Sequence, residues 1–183
     1  MMKAFVNKNF LLLFFLSFVF NSCVDNLNFD QIEYSATPIY NSPIIFFDLD
    51  QNDFIDSTTN TDILTTEDIT NFTYLETSFI RENLEKVELN MEVNNRFDRS
   101  FTFSFEFLDE NSNGTHPIIN FTVNPNEILN PVINPILIAN NQDFLRTRKI
   151  RVRIEMSAST TPLSSTVIQN LSFKSTGTYF IRT

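Results

Sequence analysis

The clearest pattern in the chain begins at Val87. Val87, Leu89, Met91 and Val93 are apolar and Glu88, Asn90 and Glu92 lie between them, the period-two signature of a strand with one buried face. A polar break around Phe97 separates this run from Phe101, Phe103, Phe105 and Phe107, which alternate with Thr102, Ser104 and Glu106. Those four rings share one face of one strand, and at about 2 kcal/mol per buried ring they supply a large part of a core. A second turn at 109–114 precedes Ile119, Phe121 and Val123, which continue the alternation. The economical expectation is a meander of three consecutive antiparallel strands.

Further strands flank this centre. Ile44, Ile45, Phe46 and Phe47 form a short apolar run between Pro43 and Asp48, the pattern of a buried strand. The stretch 50–68 is rich in Asp, Asn and Thr and reads as a long loop or an irregular edge. Strands are expected at 133–139 and 149–156, with one helical turn at 141–146 before the second. In the second, Ile150, Val152, Ile154 and Met156 face one way. Segments 171–174 and 178–182 supply a last strand or hairpin, with Gly177 available for a bulge or turn. Seven to nine short strands with polar turns predict an all-β fold, an antiparallel β-sandwich that is immunoglobulin-like or related. No internal repeat of 20–50 residues is visible.

The amino terminus follows a different rule. Lys3 and Lys8 precede an apolar run from Phe10 to Phe20 that only Ser17 interrupts. As a helix this run is about 16 Å long, roughly half the hydrocarbon thickness of a bilayer, so it fits a removed signal peptide better than a spanning anchor. The run ends at Phe20-Asn21-Ser22-Cys23, with a small residue directly before the chain's one cysteine. These first 25 residues or so resemble the bacterial lipoproteins processed by the lipoprotein signal peptidase. Phe20 and Asn21 replace the usual aliphatic and small residues, and looser boxes ending in Ser-Cys resemble those of Bacteroidota lipoproteins. The resemblance implies cleavage between Ser22 and Cys23 and makes Cys23 the lipid attachment site, bearing a diacylglycerol and an amide-linked acyl chain. More than one acyl chain is what stable anchoring needs. It also accounts for a lone cysteine in an exported protein, where no internal disulfide is available to it. The expected organisation is a signal peptide at 1–22, a lipidated tether at 23–43 and a β-sandwich at 44–183.

Charge and composition narrow the function further. The chain carries 13 Lys+Arg against 22 Asp+Glu, a net charge of -9, and loss of Lys3 and Lys8 makes the mature chain two units more acidic. Such a surface repels nucleic acid and anionic headgroups, so the membrane partner is reached through lipid rather than charge. Acidic Asp25 and Asp30 just after the cysteine resemble signals that send some Bacteroidota lipoproteins to the cell surface. The expected place is the outer membrane, periplasmic or surface face undecided. The chain's two glycines, Gly114 and Gly177, write neither a phosphate-binding loop nor a dinucleotide fingerprint.

Candidate chemistry is sparse. Asp109-x-Asn111-x-Asn113-Gly114 matches the first half of a calcium loop, with alternate oxygen side chains around one centre. Its twelfth position is Asn120 rather than Glu, and Asn113-Gly114 is also a tight-hairpin signal, so calcium and a plain turn both stand. Asp48, Asp50, Asn52, Asp53 and Asp56 form a second oxygen-rich stretch, without glycine. Lys149, Arg151 and Arg153 line one strand face, to meet an anionic partner or to pair with acidic residues of the next strand. His116, the chain's one imidazole, sits beside Pro117 and reads as an exposed loop residue. Asp56-Ser57-Thr58 resembles a periplasmic O-glycosylation site of Bacteroidota, with Ser57 the acceptor. No Ser-x-x-Lys, His-Glu-x-x-His or Gly-x-Ser-x-Gly is present.

The expected function is therefore non-enzymatic: a lipid-anchored interaction or accessory subunit of a cell-envelope assembly, with an envelope protein as partner and no cofactor beyond the calcium option. A ligand- or nutrient-binding module is the alternative, and predicts a Phe-lined space between the sheets of roughly 300 Å³ or more. A small hydrolase is the third, and predicts converging carboxylates with perturbed pKa values.

Overall fold

The computed structural model describes residues 38–182. Nine strands occupy them: β1 (Ile39–Asp50), β2 (Thr65–Asn71), β3 (Leu84–Asn95), β4 (Phe101–Leu108), β5 (Ile119–Val123), β6 (Ile128–Leu129), β7 (Ile136–Leu137), β8 (Lys149–Met156) and β9 (Asn170–Ile181). One sheet has the order β1-β9-β3-β6, with β7 pairing the other end of β3, and the second has the order β2-β8-β4-β5. All pairings are antiparallel. The expected antiparallel sandwich is thus present.

Its connectivity is nested. β1 pairs with β9, β2 with β8, β3 with β6 and β7, and β4 with β5. A single antiparallel ribbon, closed at the β4–β5 turn and rolled over itself, gives this pattern, which is the jelly roll rather than the immunoglobulin strand order.

The alternating runs behave as their spacing dictates. Val87, Leu89, Met91 and Val93 are buried, as are Phe101, Phe103, Phe105 and Phe107, and Ile150, Val152, Ile154 and Met156. Rings from both sheets meet in the centre. Phe173 on β9 lies 5.0 Å from Phe105 and 5.7 Å from Phe103, Phe47 on β1 stacks on Phe173 at 5.2 Å, and Phe121 stacks on Phe103 at 5.1 Å. Phe54, Phe97 and Phe101 make a second cluster, and Phe72, Phe107, His116 and Phe144 a third.

Several expectations need correction. The meander fails at its first turn, because β3 and β4 lie in different sheets. Asn95 explains the crossing. Fully buried, it donates to Arg99 O at 2.7 Å and Asn124 O at 2.8 Å and accepts from Phe97 N at 2.9 Å, so the polar break is a corner and Phe97 plugs it. The β4–β5 hairpin does form. Its left-handed residue is Ser112 (φ 66°) and not Gly114, so the Asn-Gly signal does not set the turn. Strand β1 starts at Ile39, placing 39–43 in the sheet rather than in the tether. Pro43 is accommodated by a bulge between Pro43 and Ile45.

At the C-terminus, β9 is one unbroken strand and Gly177 is neither bulge nor turn. A Cβ there would lie 2.7 Å from the Tyr179 hydroxyl, because the Tyr179 ring folds back over residue 177. Only Ile136–Leu137 of the expected 133–139 strand is β, and it passes directly into a 3-10 turn. The helical turn expected at 141–146 is present as a 3-10 turn at Gln142–Arg146. A short helix, α1 (Ser78–Asn83), was not anticipated; Thr77 caps it by accepting from Ile80 N.

Candidate functional site

Ser22 and Cys23, the residues of the lipid-attachment expectation, lie outside the described residues. Among the described residues, no helix is long and apolar enough to cross a membrane.

The Asp109 loop is turned inward. The Asp109 carboxylate accepts from Asn111 N at 2.9 Å, from Asn113 N at 2.8 Å and from the Asn113 side-chain amide. The Asn113 backbone and side-chain donors hold its pKa below the ordinary carboxylate value. This is an Asx turn, in which the oxygens a calcium ion would take already serve the loop. The acidic stretch at 48–56 is used in the same way. Asp50 and Asp53 form a capping box on the 3-10 turn Gln51–Phe54, and Asp48 accepts from Asn170. Asp56 accepts from Thr58 N and Thr59 N, which lower its pKa. Ser57 stands exposed in that turn. Among the described residues, no three His, Cys, Asp or Glu side chains converge.

The basic stripe lies on the outer face of β8 and is paired. Arg151 reaches Glu106 at 2.8 Å and Glu67 at 3.3 Å, on the strands to either side. Arg153 meets Glu155 at 2.9 Å, and Lys149 donates to Glu110 O at 3.2 Å. Two of the three charges are thus met by carboxylates, while Lys149 has a backbone carbonyl as its partner. His116 is half-buried rather than exposed: its ring packs edge-on against Phe107 and Phe144, Asn141 contacts its Nδ1, and burial lowers its pKa.

Sequence reasoning missed the most buried ion pair among the described residues. Arg99 Nη1 lies 2.6 Å from Asp62 Oδ2, with only 5% and 14% of the side chains exposed. Asp62 Oδ1 accepts from Leu163 N at 2.9 Å, and Arg99 Nη2 donates to Thr161 O. One ion pair therefore fastens the 55–64 loop, the β3–β4 corner and the β8–β9 loop to one another. The only signal for it was an Arg in a break that also carried a buried aromatic.

Open space is limited where the sheets face each other. A cleft of about 150 Å³ opens between the β1 and β2 edges, lined by Ile45, Phe47, Leu49, Val152 and Ile154 with Thr66, Asp68 and Thr70 at its rim. A larger groove of about 480 Å³ lies outside the sandwich, between α1 and the 138–145 turns, and Arg81, Glu82, Glu85 and Arg182 make it polar.

No protein-family model matches the chain, and no curated protein matches it. Among solved structures, that of the infectious bursal disease virus Gx strain is similar over 81% of this chain and 33% of its own, with 8% identity and a TM-score of 0.42. The subviral particle of VP2 from the same virus gives 9% identity and a TM-score of 0.35 over 79% of this chain and 33% of its own. Desmodium yellow mottle tymovirus gives 10% identity and a TM-score of 0.33, covering 81% of this chain and 90% of that one. The chain spans about a third of the length of the bursal virus chains. The jelly-roll assignment rests on the strand order, and these likenesses add nothing about activity.

Proposed function

We propose that this chain is an outer-membrane lipoprotein, held by lipid on Cys23, whose jelly roll serves as a non-enzymatic interaction or accessory subunit of a cell-envelope assembly. The observation that carries the reading is the filled interior. Phenyl rings of both sheets occupy the space a ligand would need, and the cleft left between the sheet edges is about 150 Å³, half of what the ligand-binding alternative requires. Function then falls to the outer surface, where Ile39, Phe46, Ile128 and Leu137 are exposed. The hydrolase alternative gains no support, since the resolved carboxylate shifts all run downward, away from a protonated acid at neutral pH.

The test has two arms on protein purified from its native membrane. Intact mass is expected to equal the chain from Cys23 plus a glycerol-linked and an amide-linked acyl load, with Cys23→Ala abolishing both the load and outer-membrane fractionation. Mild-detergent extraction is expected to bring the protein out with an envelope protein in fixed ratio. A chain that keeps residues 1–22, or one without lipid, refutes the anchor; a lipidated chain that extracts alone refutes the subunit role.

A further inference from the structure

One row at the end of the first sheet's outer face carries exposed apolar side chains on both of its edges. On the outward side, Ile39 of β1 stands opposite Phe180 of β9, Phe180 opposite Lys86 of β3, and Lys86 opposite Leu137 of β7. Ile39 and Leu137 are about half exposed, and the Lys86 ammonium lies 3.8 Å over the Phe180 ring. The next two rows along the same face are polar, Asn41, Thr178 and Glu88, then Thr176 and Asn90 beside Pro43, and beyond them Phe46 and Ile128 are exposed singly among polar neighbours. The apolar row is thus a belt across one end of the sandwich. Exposed Tyr40 on β1 and Phe79 on α1 belong to the same end, since α1 runs into the start of β3, and Arg182 N donates to Asn83 O there.

This is also the end at which the chain joins the domain. Ile181 N donates to Pro38 O, and β1 begins at the next residue. Fifteen residues lie between Cys23 and Ile39. From this end β9 runs roughly 37 Å to the other, so a tether from Cys23 meets this end of the domain first. A lipid on Cys23 therefore keeps this end at the surface at high effective concentration. The cations beside the belt are neutralised, Lys86 by Glu88 at 2.7 Å and Arg182 by Glu85 at 2.8 Å. A belt of aromatic and aliphatic side chains without net charge matches the interfacial zone of a zwitterionic bilayer, where amphipathic rings settle.

We infer that the Ile39–Phe180–Lys86–Leu137 belt, with Tyr40 and Phe79 at its rim, rests on the lipid surface and fixes how the domain stands on the membrane. The inference rests on the Cys23 anchor for its setting. The opposite end, where Ile168 is 92% exposed, then faces away and is free for a partner.

The chain has no Trp, so a single introduced one reports alone. The mature chain from Cys23, which holds every described residue, is coupled through its Cys23 thiol to a maleimide lipid in phosphatidylcholine vesicles. Leu137→Trp and Ile168→Trp versions are compared, both at exposed positions. With brominated phosphatidylcholine, Leu137→Trp emission is expected to fall by at least half and shift to the blue, while Ile168→Trp stays unchanged. Adding Ile39→Ser to Leu137→Trp is expected to reverse most of the quenching. Unquenched Leu137→Trp, or quenched Ile168→Trp, overturns the inference. Because the coupling is chemical, this result is independent of whether cells lipidate Cys23, which the intact mass of the native protein decides separately.

Discussion

Removing the Asp62 charge is the most informative perturbation of the fold. In the native protein the carboxylate faces Arg99 at 2.6 Å, and both side chains are largely out of water. Asp62→Asn keeps an acceptor for Leu163 N but leaves the guanidinium buried with only Thr161 O and the Met156 sulfur near it. Breaking a buried pair from one side costs about 3–5 kcal/mol, and the partial exposure of Asp62 places this case near the lower end. For a domain of this size each kcal/mol is worth about 4 °C, so Tm is expected to fall by about 12 °C in a calorimetric or circular-dichroism melt. Arg99→Met should cost a similar amount. Arg99→Met combined with Asp62→Asn should cost less than either single change, because no charge is then stranded, giving a coupling energy of about 2 kcal/mol or more. The acid limb carries the same signature. Burial alone would raise the Asp62 carboxyl, but Leu163 N and Arg99 outweigh it and hold it below its usual value. Its contribution is therefore present above the unfolded value near pH 4 and lost as pH falls through the lower folded value, and Asp62→Asn should flatten that limb. Single variants within 1 kcal/mol of wild type, or strictly additive ones, would refute the reasoning.

Other expectations are more local. Gly177→Ala forces a methyl to within 2.8 Å of the fully buried Tyr179 ring and should cost about 1–3 kcal/mol in a urea titration. Tyr179→Phe should instead raise stability by about 1 kcal/mol, since the hydroxyl is buried without a partner. In wild type, burial raises the Tyr179 pKa; its stabilising effect is complete below the unfolded value near pH 10 and is lost as pH rises further, so phenolate absorbance should report Tyr179 only as the domain unfolds. Phe103→Ala removes a ring that touches Phe47, Phe105, Phe121 and Phe173 and should cost about 3–5 kcal/mol. Millimolar calcium should leave Tm unchanged, whereas Asp109→Ala should lower it by removing the acceptor for Asn111 N and Asn113 N; a calcium-dependent rise in Tm would restore the metal reading of that loop.

What the sequence made legible follows from periodicity. Alternation assigned the buried faces of β3, β4 and β8 residue by residue, because a strand with one dry face has no other way to place Val87 or Phe105. Alternation is silent about which sheet a strand joins. The step from β3 to β4 looked like a hairpin turn, and the fully buried Asn95 amide is what makes it a crossing. Gly177 shows the same limit: glycine marks a missing side chain, and only the fold reveals that the vacated space belongs to Tyr179. Edge strands were hardest. β2 reads as polar because only Thr66 and Thr70 turn partly inward. Pairing of the Lys149, Arg151 and Arg153 face with acidic residues of the next strand was foreseeable as an option and holds for Arg151, whose partners Glu67 and Glu106 follow only from strand order; Arg153 pairs with Glu155 on its own strand.

The nested pairing also sets a timetable. β9 is the strand that separates β1 from β3, and its Phe180 sits opposite Ile39, about 140 residues earlier in the chain. Among the described strands the β4–β5 hairpin is local enough to close early, whereas the larger sheet waits for β9. Until then β1 and β3 have no common neighbour, and a chain cut short of Asn170 would leave both with raw edges open to aggregation. The second sheet, by contrast, has all four of its strands once β8 ends at Met156, so the two halves of the sandwich become complete in sequence rather than together.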